Sequence, residues 1–185
     1  MKWHTSISND KDGEHYIRGE KLGEMIELYT FTDSIYFILQ GKKPKERDRK
    51  MLDAILVACI EHGVAVPSAF VPRVVASTGN SMNAAIAAGA LAIGDFHGGA
   101  IENVMKMLQS GTVPEKVPGL GHKVYKDLDP RAEALFKKAL ELGLPGENVS
   151  LIKKIKKGFE DSHPEKKLPI NVDGAIGAIL SDMRF

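Results

Sequence analysis

The sequence predicts an all-α fold, and three observations carry that expectation. Apolar residues recur at helical spacing in successive segments. Helix starts and stops are marked by Thr, Asp, Pro and Gly where caps belong. Runs that alternate apolar with polar residues, the mark of a half-buried strand, are nearly absent. With 185 residues, 43% of them hydrophobic, the chain can bury a core as one domain or somewhat more.

The elements follow in order. Residues 1–17 are polar and read as extended or looped chain. Residues 21–40, KLGEMIELYTFTDSIYFILQ, read as two short helices, and Thr30-Phe31-Thr32-Asp33 between them fits a capping box. Gly41 and Pro44 then break the chain. Residues 45–61 place Met51, Leu52, Ile55, Leu56, Cys59 and Ile60 on one face of an amphipathic helix. Residues 68–78 read as a helix interrupted by Pro72. Residues 81–93, SMNAAIAAGALAI, are almost all small, so this helix is expected to pack closely on others, including across a subunit interface. A helix over 99–109 follows GDFHGGA. Asp129 is the expected N-cap of the next helix, with Pro130 at its first position and Gly143 at its end. Another helix spans 147–159. LPINV at 168–172 is a short extended piece, and Asp173 heads a last helix, DGAIGAILSDM.

Composition excludes several classes. The formal net charge is +1, from 25 basic and 24 acidic side chains, which makes no broad field for nucleic acid or an anionic membrane. Cys59 is the one cysteine, so an internal disulfide is excluded, and its apolar setting LDAILVACI predicts a buried structural thiol. The start carries no signal peptide pattern, and no apolar run reaches the roughly 18 residues of a membrane span. The expected compartment is the cytoplasm.

Chemistry is concentrated in turns. Of the 6 histidines, His62 (EHGVAVPSAF), His97 (GDFHGGA) and His122 (GLGHKVY) sit beside glycines or small residues, where a ligand can come close to the backbone. His4, His15 and His163 lie in polar stretches and read as solvated. Asp173 reads as an ordinary helix cap or as a carboxylate held ionised by the helix start. No histidine spacing matches a local metal-ligand pair, and the cysteine stands alone, so no metal is expected. GLGHKVYK lacks the third glycine and the preceding strand of a dinucleotide fingerprint.

Four segments, EHGVAVPSAFVPRVVAST, ALAIGDFHGGAIENV, VPGLGHKVYKDLDPRA and LPINVDGAIGAIL, occur in the order seen in citrate synthase-like proteins, and the chain resembles that family over nearly its whole length. The W-x-T-S-I start and LPINVDGAIGAIL are most similar to the citryl-CoA lyase branch, which includes the C-terminal part of ATP-citrate lyase. The resemblance implies an all-α homodimer with a large and a small helical domain and an active site in the cleft between them. Residues 1–98 would form a large domain lacking its C-terminal helices, and 99–185 the small domain. In the family, further helices beyond this chain's end bring another arginine to the substrate. Arg184 stands where the family usually has glycine.

The implied reaction makes or breaks a carbon–carbon bond between acetyl-CoA and oxaloacetate. A thioester α-proton is weakly acidic, so the chemistry needs a carboxylate base and an opposing donor for the enolate oxygen. By resemblance Asp173 is the base, ionised at neutral pH, and His97 the enol-stabilising donor. His122 donates to the oxaloacetate carbonyl, or helps take the citryl hydroxyl proton in the reverse direction. His62 is a second oxaloacetate-binding histidine, and Arg131 pairs with a substrate carboxylate. Val117, Pro118, Gly119, Leu120 and Gly121 match the loop that receives the adenine of coenzyme A. Lys126 matches a basic residue near the CoA phosphates, besides reading as a surface lysine, and Asn171 lies near the pantetheine path. No cofactor is expected beyond coenzyme A as part of the substrate. Three readings stay open: cleavage of citryl-CoA, synthesis of citrate or 2-methylcitrate, and binding of CoA or a polycarboxylate without turnover. A separate citryl-CoA synthetase is a possible partner of the first.

Overall fold

A computed structural model describes residues 4–95, 97–144 and 146–185. Trp3 of the W-x-T-S-I start and Phe96 of GDFHGGA lie outside the described residues. The chain divides into two compact units, Met1–Ala54 and Ile55–Phe185. The boundary expected between residues 98 and 99 falls inside the second unit.

The first unit opens with three antiparallel strands, β1 (Ser8–Lys11), β2 (Glu14–Ile17) and β3 (Glu20–Lys21), in the order β1-β2-β3. The start is expected as extended or looped chain, and its extended part pairs into a small sheet that the all-α expectation does not include. Each turn has two central residues of positive φ: Asp12 at 52° with Gly13 at 77°, then Arg18 at 47° with Gly19 at 88°. Type I′ turns require such a pair, and their twist matches that of the flanking strands. Helices α1 (Leu22–Leu28), α2 (Phe31–Gln40) and α3 (Glu46–Ala58) follow. The Thr30–Asp33 capping box is present in both directions: Asp33 N–H donates to Thr30 Oγ1 at 3.1 Å, and Thr30 N–H to Asp33 Oδ2 at 2.9 Å. Arg18 Nε donates to the Ile38 carbonyl at 2.8 Å, which ties the second turn to α2. Met25, Tyr36, Phe37, Met51 and Leu52 are buried.

The apolar face expected over 45–61 ends early. Met51 and Leu52 are buried, but α3 stops at Ala58, and Ile60 beyond it is 82% exposed. Cys59 is exposed as well, which corrects the expectation of a buried thiol.

In the second unit, α4 (Pro67–Ser77) and α5 (Met82–Leu91) pack as a pair. Pro72 has no N–H to give the Ser68 carbonyl one turn back. Gly89 of α5 lies against that spot: a Cβ there would sit 2.9 Å from Pro72 Cγ and 3.0 Å from the Ser68 oxygen. The rest of the pair carries exposed apolar side chains, among them Phe70, Met82, Ile86 and Leu91.

The remaining helices are α6 (Ala100–Ser110), α7 (Pro130–Glu141), α8 (Glu147–Ser162) and α9 (Val172–Asp182). α9 is apolar all round and therefore central, with α6, α7 and α8 packed on it. α7 buries Ala132, Leu135, Phe136 and Ala139 at helical spacing. Its end is as expected: Gly143 takes φ 63°, and Leu144 N–H reaches back to the Ala139 carbonyl. After α9 the same left-handed position is filled by Arg184 at φ 62°.

The start of α8 has no side-chain cap of its own. Asp182, at the end of α9, accepts from Asn148 N–H at 2.8 Å and Val149 N–H at 3.2 Å instead. Asp182→Ala is expected to cost about 2 kcal/mol, read as a lowered midpoint in thermal or urea unfolding, because it strips both N–H groups of their acceptor. Among the described residues, no helix is long and apolar enough to cross a membrane.

Candidate active site

The loops that carry His97 and His122 and the starts of α7 and α9 supply the site residues of the second unit. The first loop carries His97. Gly94 and His97 exchange backbone hydrogen bonds at 2.8 and 2.9 Å, and Gly98 turns the chain at φ 90°. Gly99 then lies against Gly94, where a Cβ would come within 2.9 Å of the Gly94 oxygen. His97 Nε2 faces Ser68 of α4, 2.9 Å from its Oγ and 3.4 Å from its N–H. A backbone N–H can only donate, so Nε2 is the acceptor and a neutral ring carries its proton on Nδ1.

The second loop carries His122. Its Nδ1 accepts from the N–H groups of Val124 and Tyr125, both at 3.1 Å. A neutral ring here therefore carries its proton on Nε2. The ring stacks on Tyr125, centroids 4.7 Å apart. Arg131 Nη2, which also can only donate, lies 3.2 Å from Nε2. Both groups donate, and they converge on a place where a substrate oxygen could receive both.

Arg131 is held by Asp129, which is 1% exposed. Arg131 Nε donates to Oδ1 at 3.0 Å and Nη2 to Oδ2 at 2.8 Å. Asp129 is also the expected N-cap of α7, accepting Arg131 N–H at 3.0 Å. Burial works to raise its carboxyl, but the hydrogen bonds and charge of Arg131 outweigh it and hold the group below the usual range. Asp129 in turn raises Arg131.

Asp173 sits in the first turn of α9 but does not cap it. Asn171 is the N-cap, with Oδ1 accepting from Gly174 N–H at 3.0 Å. This corrects the reading of Asp173 as cap. Nor is Asp173 held at an ordinary carboxylate value. Burial pushes it up, helped by Asp129, while His62, Arg131 and His97 pull it down. Their influence places four of the expected residues, His62, His97, Arg131 and Asp173, in one electrostatic neighbourhood. His62 itself is exposed. Cys59 borders the same neighbourhood: although the residue is exposed, the atoms packed near its thiol and the charge of Asp173 raise it.

The loop Val117–Gly121 is zipped to the start of α9. Gly121 N–H donates to the Pro169 carbonyl at 2.8 Å, Asn171 N–H to Gly119 at 2.9 Å, and Asn171 Nδ2 to Gly121 at 2.8 Å. Val117 and Gly119 are buried, and Pro118, Leu120 and Gly121 half-buried. The glycines have structural reasons of their own. Both take positive φ, 83° at Gly119 and 88° at Gly121, and a Cβ on Gly119 would lie 2.7 Å from Gly174 Cα. Both ends of the Asn171 amide bond within the protein, and Lys126 curls onto its own turn, Nζ 2.9 Å from the Lys123 carbonyl. Ser68, Tyr125 and the Arg131 clamp of Asp129 escaped sequence reasoning. Only Asp129 left a signal, as a cap residue two positions before an arginine.

The family profile for the C-terminal domain of citrate synthase matches residues 13–185. The chain belongs to the citrate synthase family. Among solved members of this fold, citryl-CoA lyase from Hydrogenobacter thermophilus is 40% identical with a TM-score of 0.91, over 99% of this chain and 77% of that one. ATP citrate lyase from Methanothrix soehngenii, solved with citrate and coenzyme A, is 23% identical with a TM-score of 0.84, over 100% of this chain and 32% of that one, and speaks to the fold alone. A citrate synthase from Heyndrickxia coagulans is 32% identical over 86% of this chain and 47% of its own length. The chain thus spans about half the length of the curated citrate synthase family relatives it matches. The expected all-α, citrate synthase-like fold holds, with the small sheet as an addition.

Proposed function

We propose that the protein is a citryl-CoA lyase-type enzyme, cleaving citryl-CoA to acetyl-CoA and oxaloacetate. The observation that carries this reading is the 40% identity to a citryl-CoA lyase over 99% of the chain. The geometry supplies matching roles. The citryl hydroxyl oxygen becomes the ketone oxygen of oxaloacetate as the carbon–carbon bond breaks. The hydroxyl proton leaves to solvent, while His122 Nε2–H and the Arg131 guanidinium donate to the oxygen and offset its developing charge, Arg131 also pairing with a carboxylate. The electrons of the broken bond form the acetyl-CoA enolate. His97, with its proton on Nδ1, donates to that oxygen. Asp173 protonates the enolate carbon, and a carboxyl raised by burial suits a group that must hold a proton for delivery. His62 adds a second donor to oxaloacetate. The loop Val117–Gly121 takes the adenine of coenzyme A, with Lys126 toward its phosphates and Asn171 fixing the loop beside the pantetheine path.

The same residues run in reverse make citrate, and the relatives named citrate synthase favour that second reading. The exposed apolar face of α4 and α5 supports a homodimer. A separate synthetase that makes citryl-CoA, in the cytoplasm, completes the proposal.

The test is an assay of the purified protein in both directions. Release of oxaloacetate from citryl-CoA is expected. Citrate formation from acetyl-CoA and oxaloacetate, without citryl-CoA cleavage, would replace the lyase reading with the synthase one. CoA binding with neither activity would leave a non-catalytic binding protein.

A further inference from the structure

We propose that Asp129 is a positioning residue that aims Arg131 at the substrate and fixes the start of the helix carrying Asp173. The inference rests on the function proposed above for Arg131 and Asp173.

A cap needs one hydrogen bond, and an N-cap side chain normally stands in water. Asp129 departs from both habits. It is 1% exposed and takes part in four hydrogen bonds. One is the cap bond from Arg131 N–H. Two form a side-on fork with the guanidinium, through Nε and Nη2 at 3.0 and 2.8 Å. The fourth comes from Val172 N–H at 3.1 Å, the first residue of α9 and 43 positions away in sequence.

Each bond has a consequence. The fork fixes the guanidinium plane, since a bidentate pair sets orientation as well as distance. It occupies one edge of the guanidinium and leaves Nη1 and the second Nη2 hydrogen for the side facing His122. The Val172 bond anchors the N–H that opens α9, one residue before Asp173. One buried carboxylate thus joins the group that grips a substrate carboxylate to the group that handles the carbon-bound proton. Its charge faces Asp173 together with His62, His97, Arg131 and the Cys59 thiol. Removing that charge takes away a like-charge neighbour.

The test uses Asp129→Asn and Asp129→Ser in the purified protein. Asn and Ser cap helices about as well as Asp, so both variants keep the cap and lose the charged fork. The proposal expects kcat/KM for citryl-CoA, or for oxaloacetate in the condensing direction, to fall about 100-fold, the scale on which small misplacements act. KM for acetyl-CoA should change little, and the limb of the kcat profile set by Asp173, the basic limb in cleavage and the acid limb in condensation, should move to lower pH. Folded variants with unchanged kinetics and pH profile would overturn the proposal and leave a plain cap.

A second readout does not depend on activity or on the variants folding. In the unsubstituted protein the Arg131 Nε–H, locked in the fork, should give a sharp, slowly exchanging nitrogen–proton NMR signal at neutral pH. A signal that exchanges as fast as that of a surface arginine would overturn the proposal. If the signal is present but the protein neither cleaves nor forms citrate, the functional reading has failed while the clamp stands.

Discussion

Asp173→Asn is expected to lower citryl-CoA turnover by about two orders of magnitude or more while raising the melting temperature at neutral pH. The rate loss follows from removing the only proton carrier assigned to the enolate carbon, and general acid–base catalysis is worth about 10²–10⁴-fold. The stability gain follows from the sign of the shift. Burial, with Asp129, raises the Asp173 carboxyl above its ordinary value of 3.8, against the opposite pull of His62, Arg131 and His97. The folded protein therefore holds this proton more tightly than the unfolded chain does. Its contribution to stability is fully present below the ordinary value and is lost as pH rises through the raised one. At neutral pH the folded state carries the cost of this raised, half-buried carboxyl, and asparagine, which has no charge to desolvate, relieves it. For a chain of this length each kcal/mol relieved lifts the melting temperature by about 2–4 °C. The gain should shrink as pH falls and vanish below the ordinary range, where aspartate is protonated in both states. Scans of wild type and variant at several pH values, beside single-turnover rates, check both halves. A variant that is slow and less stable at neutral pH would mean that Asp173 is a structural acceptor. His97→Ala should show a rate loss of about 10²–10³-fold, because it removes the donor aimed at the enolate oxygen.

What could be read from the residues alone was local. The Thr30–Asp33 box, Pro130 at a helix start and Gly143 at a helix end are signals whose partners lie within five residues, and the structure places all three as expected. The β1–β3 sheet was missed because its strands are at most four residues long and bury none of their residues, so no alternation develops. Asp12-Gly13 was the available clue, a favoured type I′ pair. Cys59 was misjudged because helical periodicity says which face is apolar, not how far the helix runs, and α3 ends one residue earlier. Of the two readings of Asp173, cap or functional carboxylate, the cap came from its place before an apolar helical run, yet Asn171, two residues earlier, makes that bond. The site had a different limit. The family motifs named His62, His97, His122, Arg131 and Asp173, but the groups that set their tautomers and aim were out of reach. Ser68 is 29 residues from His97, and Val172 is 43 from Asp129. Nothing local in either segment announces those pairings.

The glycines of the site make the same point with an effect that reverses sign between two positions in one unit. Gly174 lies in the first turn of α9 with ordinary helical φ, so helix propensity alone would favour alanine there by up to about 1 kcal/mol. Packing decides otherwise. A Cβ on Gly174 would stand 2.5 Å from the Gly119 carbonyl oxygen and 2.9 Å from Ile170 Cγ2, and the first of these is backbone. That backbone is pinned, because the Gly119 oxygen accepts from Asn171 N–H and Gly121 is tied to Pro169. Gly174→Ala must therefore push the loop Val117–Gly121 off α9. Forced overpacking costs about 1–3 kcal/mol, more where nothing can yield. A net loss of about 2 kcal/mol is expected, a melting temperature lower by roughly 4–8 °C. Because the displaced loop is the proposed adenine site, KM for the CoA substrate should rise as well. Gly158 is the control. It lies inside α8, exposed, with no atom within 4 Å of its Cβ position. Gly158→Ala is expected to stabilise by about 0.5–1 kcal/mol and to leave the kinetics unchanged. Equal behaviour of the two variants, in either direction, would mean that the contact between Gly119 and Gly174 does not constrain the loop.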